Sequence, residues 1–320
     1  MRLNRHTRRV RGALAGVVAA LTLSAPALPA AAAPPDRCLS VCAPTSSLKV
    51  GEVTYAYRAV GPAGARPLVL LNRFRGSMDE WDPAFLDALA RTRRVIIFDN
   101  VGVARTDGLA SPRLAGWSDN AAAFIRALGL KEVDLLGYSF GGLVAQQLTL
   151  DHPELVRRLV IVGSGAGYVE GANLRAEALQ VATKPVNTDE DFLFLFFRNT
   201  PTSQAAGRAH LARLRQRPGA FDVRVSEATW RAMLSAGSDV GTPETSLLRR
   251  APQIRKPVLV ANGVEDNMIP TIQSYALAQA LPQARLILYP DAGHAFMFQY
   301  PQLVGRDVAA FLDEPPPPAG

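Results

Sequence analysis

The chain is 320 residues long and 48 % hydrophobic, enough to bury a sizeable core as one large domain with an insertion or as two domains. Its net charge of +7 suggests nucleic acid at first, but five of the arginines lie within residues 1–32, which hold no acidic residue. Subtracting those five leaves +2 on the remainder, which implies no basic patch and no nucleic-acid partner.

Arg2, Arg5, Arg8, Arg9 and Arg11 precede an apolar stretch from Ala13 to Leu23, followed by Pro26, Pro29 and the small residues Ala30 to Ala33. This order predicts a secretory signal over residues 1–32, cleaved near Ala32, and so a secreted or extracytoplasmic protein. The apolar run is too short to span a bilayer comfortably, so no stable membrane anchor is expected. Arg8-Arg9 leaves both Sec and twin-arginine export open. Cys38 and Cys42, the only cysteines, fall in the tail 33–47. Export favours a disulfide between them, closing a small loop that adds little to the core. Pro35-Asp36-Arg37 is unlike the small apolar run that a lipid anchor at Cys38 needs, and no histidine stands nearby to complete a metal site.

From Leu48 the chain alternates strands and helices. "LKVGEVTYAYRAVG" predicts a hairpin turning near Gly51, and "PLVLLN" (Pro67 to Asn72) a buried strand. Asp82 is a predicted N-cap with Pro83 at the first helical position, and Phe85 and Leu89 share one face. "RVIIFD" (Arg94 to Asp99) is the next strand, and a helix predicted from Ser118 carries Ala121, Phe124, Ile125 and Leu128 until Gly129 ends it. "DNVGVARTDG" (Asp99 to Gly108) reads as a structural turn.

In "DLLGYSFGGLVAQ", Val133, Leu135 and Leu136 read as a short buried strand, and Leu143, Val144, Ala145 and Leu148 as one helix face. Ser139 therefore stands at a sharp strand-to-helix junction, and Gly137 and Gly141 relieve the clash such a turn creates. An exposed hydroxyl facing a helix N-terminus would justify the strain. "RLVIVGSG" (Arg158 to Gly165) is another strand; from there to about Ala251 only helical and loop signals occur. "PVLVANG" (Pro257 to Gly263) restores the strand pattern, followed by a helix around Tyr275 to Ala280, the strand "ARLILYP" and a final helix to Leu312.

The predicted class is α/β: a mostly parallel, doubly wound sheet with an inserted helical cap. The core would occupy 48–167 and 251–313, the insertion 168–250, and a Pro-rich tail 314–320.

"GYSFG" after a strand, with the later "GVEDNMIP" and "DAGH", resembles the α/β-hydrolase superfamily over Leu48 to Leu312. The resemblance implies Ser139 as nucleophile, His294 as its base and Asp266 as the carboxylate that orients the base, with Glu265 as the neighbouring alternative and Asp291 shaping the loop. Of the other histidines, His6 lies in the signal, His152 beside Pro153 and His210 in the insertion. The resemblance further implies an oxyanion hole from the N–H groups of Phe140 and Phe74. Here the chain departs from the family, with Asn72-Arg73 where His-Gly is usual; Arg73 either alters the loop or is a solvated surface residue.

"DFLFLFFRNTP" carries Phe192, Phe194, Phe196 and Phe197, which either pack the insertion or roof the site, with Phe194 and Phe196 as candidate substrate contacts. The expected reaction is hydrolysis of small to medium apolar carboxylic esters through an acyl-enzyme, with a small-molecule ester as partner and no cofactor or metal. Lactonase, C–C hydrolase and cofactor-free haloperoxidase or perhydrolase activity fit the same residues, as does a non-catalytic binding protein of the same fold. Ser139 argues against the members that use an aspartate nucleophile.

Overall fold

Strands with no exposed face need helices on both sides, and the computed structural model, which describes residues 39–315, has that layering. The hairpin is β1 (Ser46–Val50) and β2 (Val53–Val60), followed by β3 (Pro67–Leu71), α1 (Pro83–Ala90), β4 (Arg94–Phe98) and α2 (Leu114–Ala127). Then come β5 (Val133–Tyr138), α3 (Phe140–Asp151) and β6 (Val156–Val162). After the helical excursion, β7 (Val258–Gly263), α8 (Thr271–Ala280), β8 (Ala284–Tyr289), α9 (Phe296–Gln299) and α10 (Pro301–Asp313) complete the chain.

The eight strands lie in the order β1-β2-β4-β3-β5-β6-β7-β8. β1–β2 and β2–β4 are antiparallel; every pairing from β4 onward is parallel. β5 and β7, each flanked by a strand on both sides, are buried along their whole length, and one apolar cluster packs each face of the sheet. In parallel sheets, ligands gather beyond the carboxyl ends of the strands. Ser139, Asp266 and His294 follow β5, β7 and β8 there.

The chain between β6 and β7 folds as α4 (Ala176–Ala182), α5 (Asp189–Phe196), α6 (Pro201–Leu214) and α7 (Glu227–Ser238). Buried polar contacts tie it to the core. Asp82 caps α1 through Oδ1, which accepts Ala84 N–H at 2.7 Å, while Oδ2 accepts from His210 Nδ1 and Arg213 Nη2 of α6, each at 2.6 Å. Burial pushes the Asp82 carboxyl up, but the hydrogen bonds from His210 and Arg213 outweigh it and hold the group below its ordinary value.

Two boundaries differ clearly from expectation: β6 spans Val156–Val162 rather than Arg158 to Gly165, and the start of α2 is displaced. α2 begins at Leu114, not Ser118, and Ser118 is buried inside it. Arg113 supplies no side-chain cap; Asp239, 125 residues away, accepts the Leu114 N–H at 2.8 Å. A start stabilised from outside the helix leaves no local capping signal.

The predicted signal 1–32 and Cys38 lie outside the described residues, as do residues 316–320 of the tail. Cys42 is disulfide-bonded. Among the described residues, no helix is long and apolar enough to cross a membrane.

Candidate active site

Ser139 adopts φ 55°, ψ −119°, a conformation side-chain-bearing residues rarely take. The surroundings over-determine it. Ser139 N–H donates to Val162 O at 3.0 Å, and the Ser139 carbonyl accepts from Gly142 N–H and Ser164 Oγ, both at 2.8 Å. The two glycines are steric necessities: a Cβ on Gly137 would stand 2.3 Å from Gly141 O, and one on Gly141 2.2 Å from Leu71 O. The serine is thus held at the N-terminus of α3, where unpaired N–H groups and the helix dipole favour negative charge.

His294 lies between β8 and α9 and is 1 % exposed. Its Nδ1 is 2.7 Å from Asp266 Oδ2. Asp266 Oδ1 accepts the N–H groups of Met268 at 2.7 Å and Ile269 at 2.9 Å, which locks the carboxylate in the loop after β7. A carboxylate only accepts, so Nδ1 is the donor in this contact, and in the neutral imidazole Nε2 is the nitrogen that keeps its lone pair.

The neighbouring acids have other partners. Glu265 is 65 % exposed at its side chain and pairs with Arg198 at 2.6 Å. Asp291, at φ 49°, accepts from Thr200 Oγ1 at 2.8 Å and Arg198 Nη1 at 3.2 Å, so it fastens the His294 loop to the insertion. His152 faces Asp119, with Nε2 3.0 Å from its Oδ1, and His210 is fully buried against Asp82.

Ser139 and His294 open onto one cavity of about 340 Å³ beneath the insertion. Its wall combines apolar side chains, among them Phe74, Phe192, Leu195, Phe196, Leu211 and Met268, with charged ones such as Arg215 and Arg224, and its volume is in the size range of small-molecule sites. Phe196 stacks on Phe192 at 4.1 Å and lies 5.3 Å from the His294 ring. Phe194 is not in this wall. It lines a separate groove with Arg175, Arg208 and Asn267, because residues four apart share a helix face and residues two apart do not. The capping box Thr188/Asp191 marks the start of α5, and counting from it separates Phe196 from Phe194.

Phe140 is the first residue of α3, so its N–H has no acceptor within the helix. Phe74 follows β3 and borders the same cavity. Arg73 is not a solvated surface residue; it is 6 % exposed and pairs with Glu80 at 2.6 Å. Arg73, Arg75 and Glu80 border the cavity and were not among the expected site residues. Among the described residues, no group of three or more His, Cys, Asp or Glu side chains is placed to hold a metal ion.

The comparisons with known proteins agree with this architecture. The model of the alpha/beta hydrolase fold family matches residues 66–301. The chain is 32 % identical over 230 residues to a 2-hydroxymuconate semialdehyde hydrolase of Pseudomonas putida, covering 70 % of this chain and 79 % of that protein. Among solved structures, an alpha/beta hydrolase fold protein from Chitinophaga pinensis is 34 % identical with a TM-score of 0.77, covering 86 % of this chain and 99 % of that one. A hydrolase from Pseudomonas aeruginosa is 26 % identical with a TM-score of 0.66, covering 84 % of this chain and 98 % of the other.

Proposed function

The chain belongs to the α/β-hydrolase fold family, and from that premise we propose that it is a serine hydrolase of small to medium apolar carboxylic esters. The observation that carries this reading is the Asp266–His294 contact at 2.7 Å, with His294 opening onto the same cavity as the strained Ser139, where Phe192, Leu195, Phe196 and Met268 offer apolar surface.

In the proposed reaction His294 Nε2 takes the proton of Ser139 Oγ as that oxygen attacks the acyl carbon. The N–H groups of Phe140 and Phe74 hold the oxyanion. The imidazolium, stabilised by Asp266, then protonates the leaving alcohol. Water, deprotonated by His294, releases the acid and restores Ser139. The helical insertion acts as a cap whose apolar wall takes the acyl group. We place the enzyme outside the cytoplasm, a reading supported by the leader pattern and by the disulfide at Cys42.

Ser139→Ala is expected to lower p-nitrophenyl butyrate turnover on the order of 10⁶-fold and to abolish labelling by a fluorophosphonate, with the thermal transition kept. Near-wild-type hydrolysis by this variant rules the assignment out. The similarity to the 2-hydroxymuconate semialdehyde hydrolase favours a second reading, C–C bond hydrolysis on the same residues. Parallel kcat/KM measurements on aliphatic esters and on 2-hydroxymuconate semialdehyde separate the two.

A further inference from the structure

We infer that the helical insertion is a working part of the oxyanion hole. It fixes the peptide groups around Phe74, so that loosening it slows the chemical step even for the shortest acyl group. The inference rests on the proposed roles of Ser139 and the Phe74 N–H and deepens them.

The argument starts from the peptide plane, in which C=O and N–H point in opposite directions. The Arg73 carbonyl accepts Gly76 N–H at 3.0 Å, which aims the Phe74 N–H of the same peptide the other way. In the next peptide, the Phe74 carbonyl accepts from Arg73 Nη1 at 2.8 Å. Its opposite edge, the Arg75 N–H, lies 3.3 Å from Met233 Sδ in α7. Both peptides that meet at Phe74 are therefore pinned, one of them directly by the insertion.

The two arginine side chains add to this. The Arg73 guanidinium lies 4.9 Å from the Phe196 ring centre and 5.3 Å from that of Phe192, both in α5. Arg75 stands at φ 58° and donates to the carbonyls of Ala182, the last residue of α4, at 3.0 Å, and of Lys184 at 2.6 Å and Pro185 at 3.1 Å just after it. Its guanidinium also lies 5.1 Å from the Trp230 ring of α7. A glycine before Phe74 would have no side chain to reach the insertion. The arginines on either side of Phe74 both do.

Arg75 is accordingly a positioning residue, acting through the Phe74 peptide. A 1 Å misplacement can cost about 10²-fold in rate, and complete loss of one oxyanion donor about 10²- to 10³-fold. The test uses the full chain with Arg75→Ala, assayed on p-nitrophenyl acetate and butyrate, with phenylboronic acid as a probe of the tetrahedral state. The expected result is an acetate kcat lowered about 10- to 100-fold, KM within about threefold, and boronate affinity weakened in proportion. Arg75→Lys is expected to recover part of the loss, because an ammonium still donates to those carbonyls.

An insertion that is only a wall gives the opposite pattern: acetate kcat within twofold of wild type and a raised KM for butyrate alone. That pattern overturns the inference. If Arg75→Ala does not fold, Met233→Leu removes the sulfur acceptor at nearly constant volume. It is expected to lower acetate kcat at an unchanged thermal midpoint, and an unchanged kcat there overturns the inference equally. Ser139→Ala runs beside them. If it remains active, the reading of the site falls and this inference with it; if it is inactive while the Arg75 and Met233 variants match wild type, this inference alone falls.

Discussion

Replacing Asp266 by asparagine changes one atom and, in this site, reverses the imidazole. Oδ1 accepts two backbone N–H groups, from Met268 at 2.7 Å and Ile269 at 2.9 Å. An amide turned the other way would set its NH₂ against both donors, leaving two partly buried hydrogen bonds unmade at roughly 1 kcal/mol or more each. The amide oxygen therefore stays on that side, and the NH₂ faces His294 Nδ1 across the 2.7 Å contact. Two donors cannot share that contact, so the imidazole proton moves from Nδ1 to Nε2. The nitrogen that should take the Ser139 proton then carries one already. In hydrolytic triads this wrong tautomer costs about 10⁴ in kcat, or about 5.5 kcal/mol of barrier. The assay is kcat/KM for p-nitrophenyl butyrate from pH 6 to 9, beside a thermal melt to show that the fold persists. Glu265→Gln is the control: its partner Arg198 lies outside the cavity wall, so activity is expected within twofold. An Asp266→Asn enzyme within tenfold of wild type, or a Glu265→Gln enzyme worse than it, would refute the reasoning.

Phe196→Ala is expected to flatten the rise from acetate to butyrate and octanoate esters, since each buried methylene contributes about 0.8 kcal/mol and Phe196 lines the cavity. Phe194→Ala, in the other groove, should leave that chain-length profile unchanged, and a profile altered by both or neither would contradict this division. His210 is fully buried, and burial holds its imidazole below the ordinary value in spite of Asp82. The unfolded chain therefore takes up that proton first, and stability falls as pH drops from about 6.5 towards the lower folded value. His210→Asn keeps a donor for Asp82 but does not titrate, so its thermal midpoint should approach that of wild type between pH 7.5 and 5; a constant gap across that range would exclude the linkage.

The features legible in the sequence are those whose causes are local. Gly137 precedes Ser139 because Gly141 O leaves no room for a Cβ, a reason that lies within five residues, whereas Gly141 is also hemmed in by Leu71 O at the distant end of β3. Asp82 followed by Pro83 announces the start of α1 for a similarly short-range reason, and the structure has that cap. The start of α2 escaped because its cap, Asp239, comes from the far end of the insertion. Phe194 was grouped with Phe196 because a run of phenylalanines carries no phase until the helix start is known. Thr188 supplies that start, and the i, i+4 rule then pairs Phe192 with Phe196.

Arg73 was the least legible, and the reason is chemical. A guanidinium after Asn72 breaks the local expectation of a small residue in a tight loop, and a charged side chain ordinarily seeks water. Its burial depends on partners at three very different separations: Phe74 O next door, Glu80 seven residues on, and the rings of Phe192 and Phe196 more than a hundred residues away. No window of sequence contains all of them. A residue that violates local rules and is satisfied only by distant elements is expected at a site where function sets the constraint. In this chain that residue immediately precedes the proposed oxyanion donor. The same non-local contacts that concealed Arg73 in the sequence are the ones that join the insertion to the Phe74 peptide. What made the loop hard to read is therefore also what would make the chemistry at Ser139 depend on the insertion.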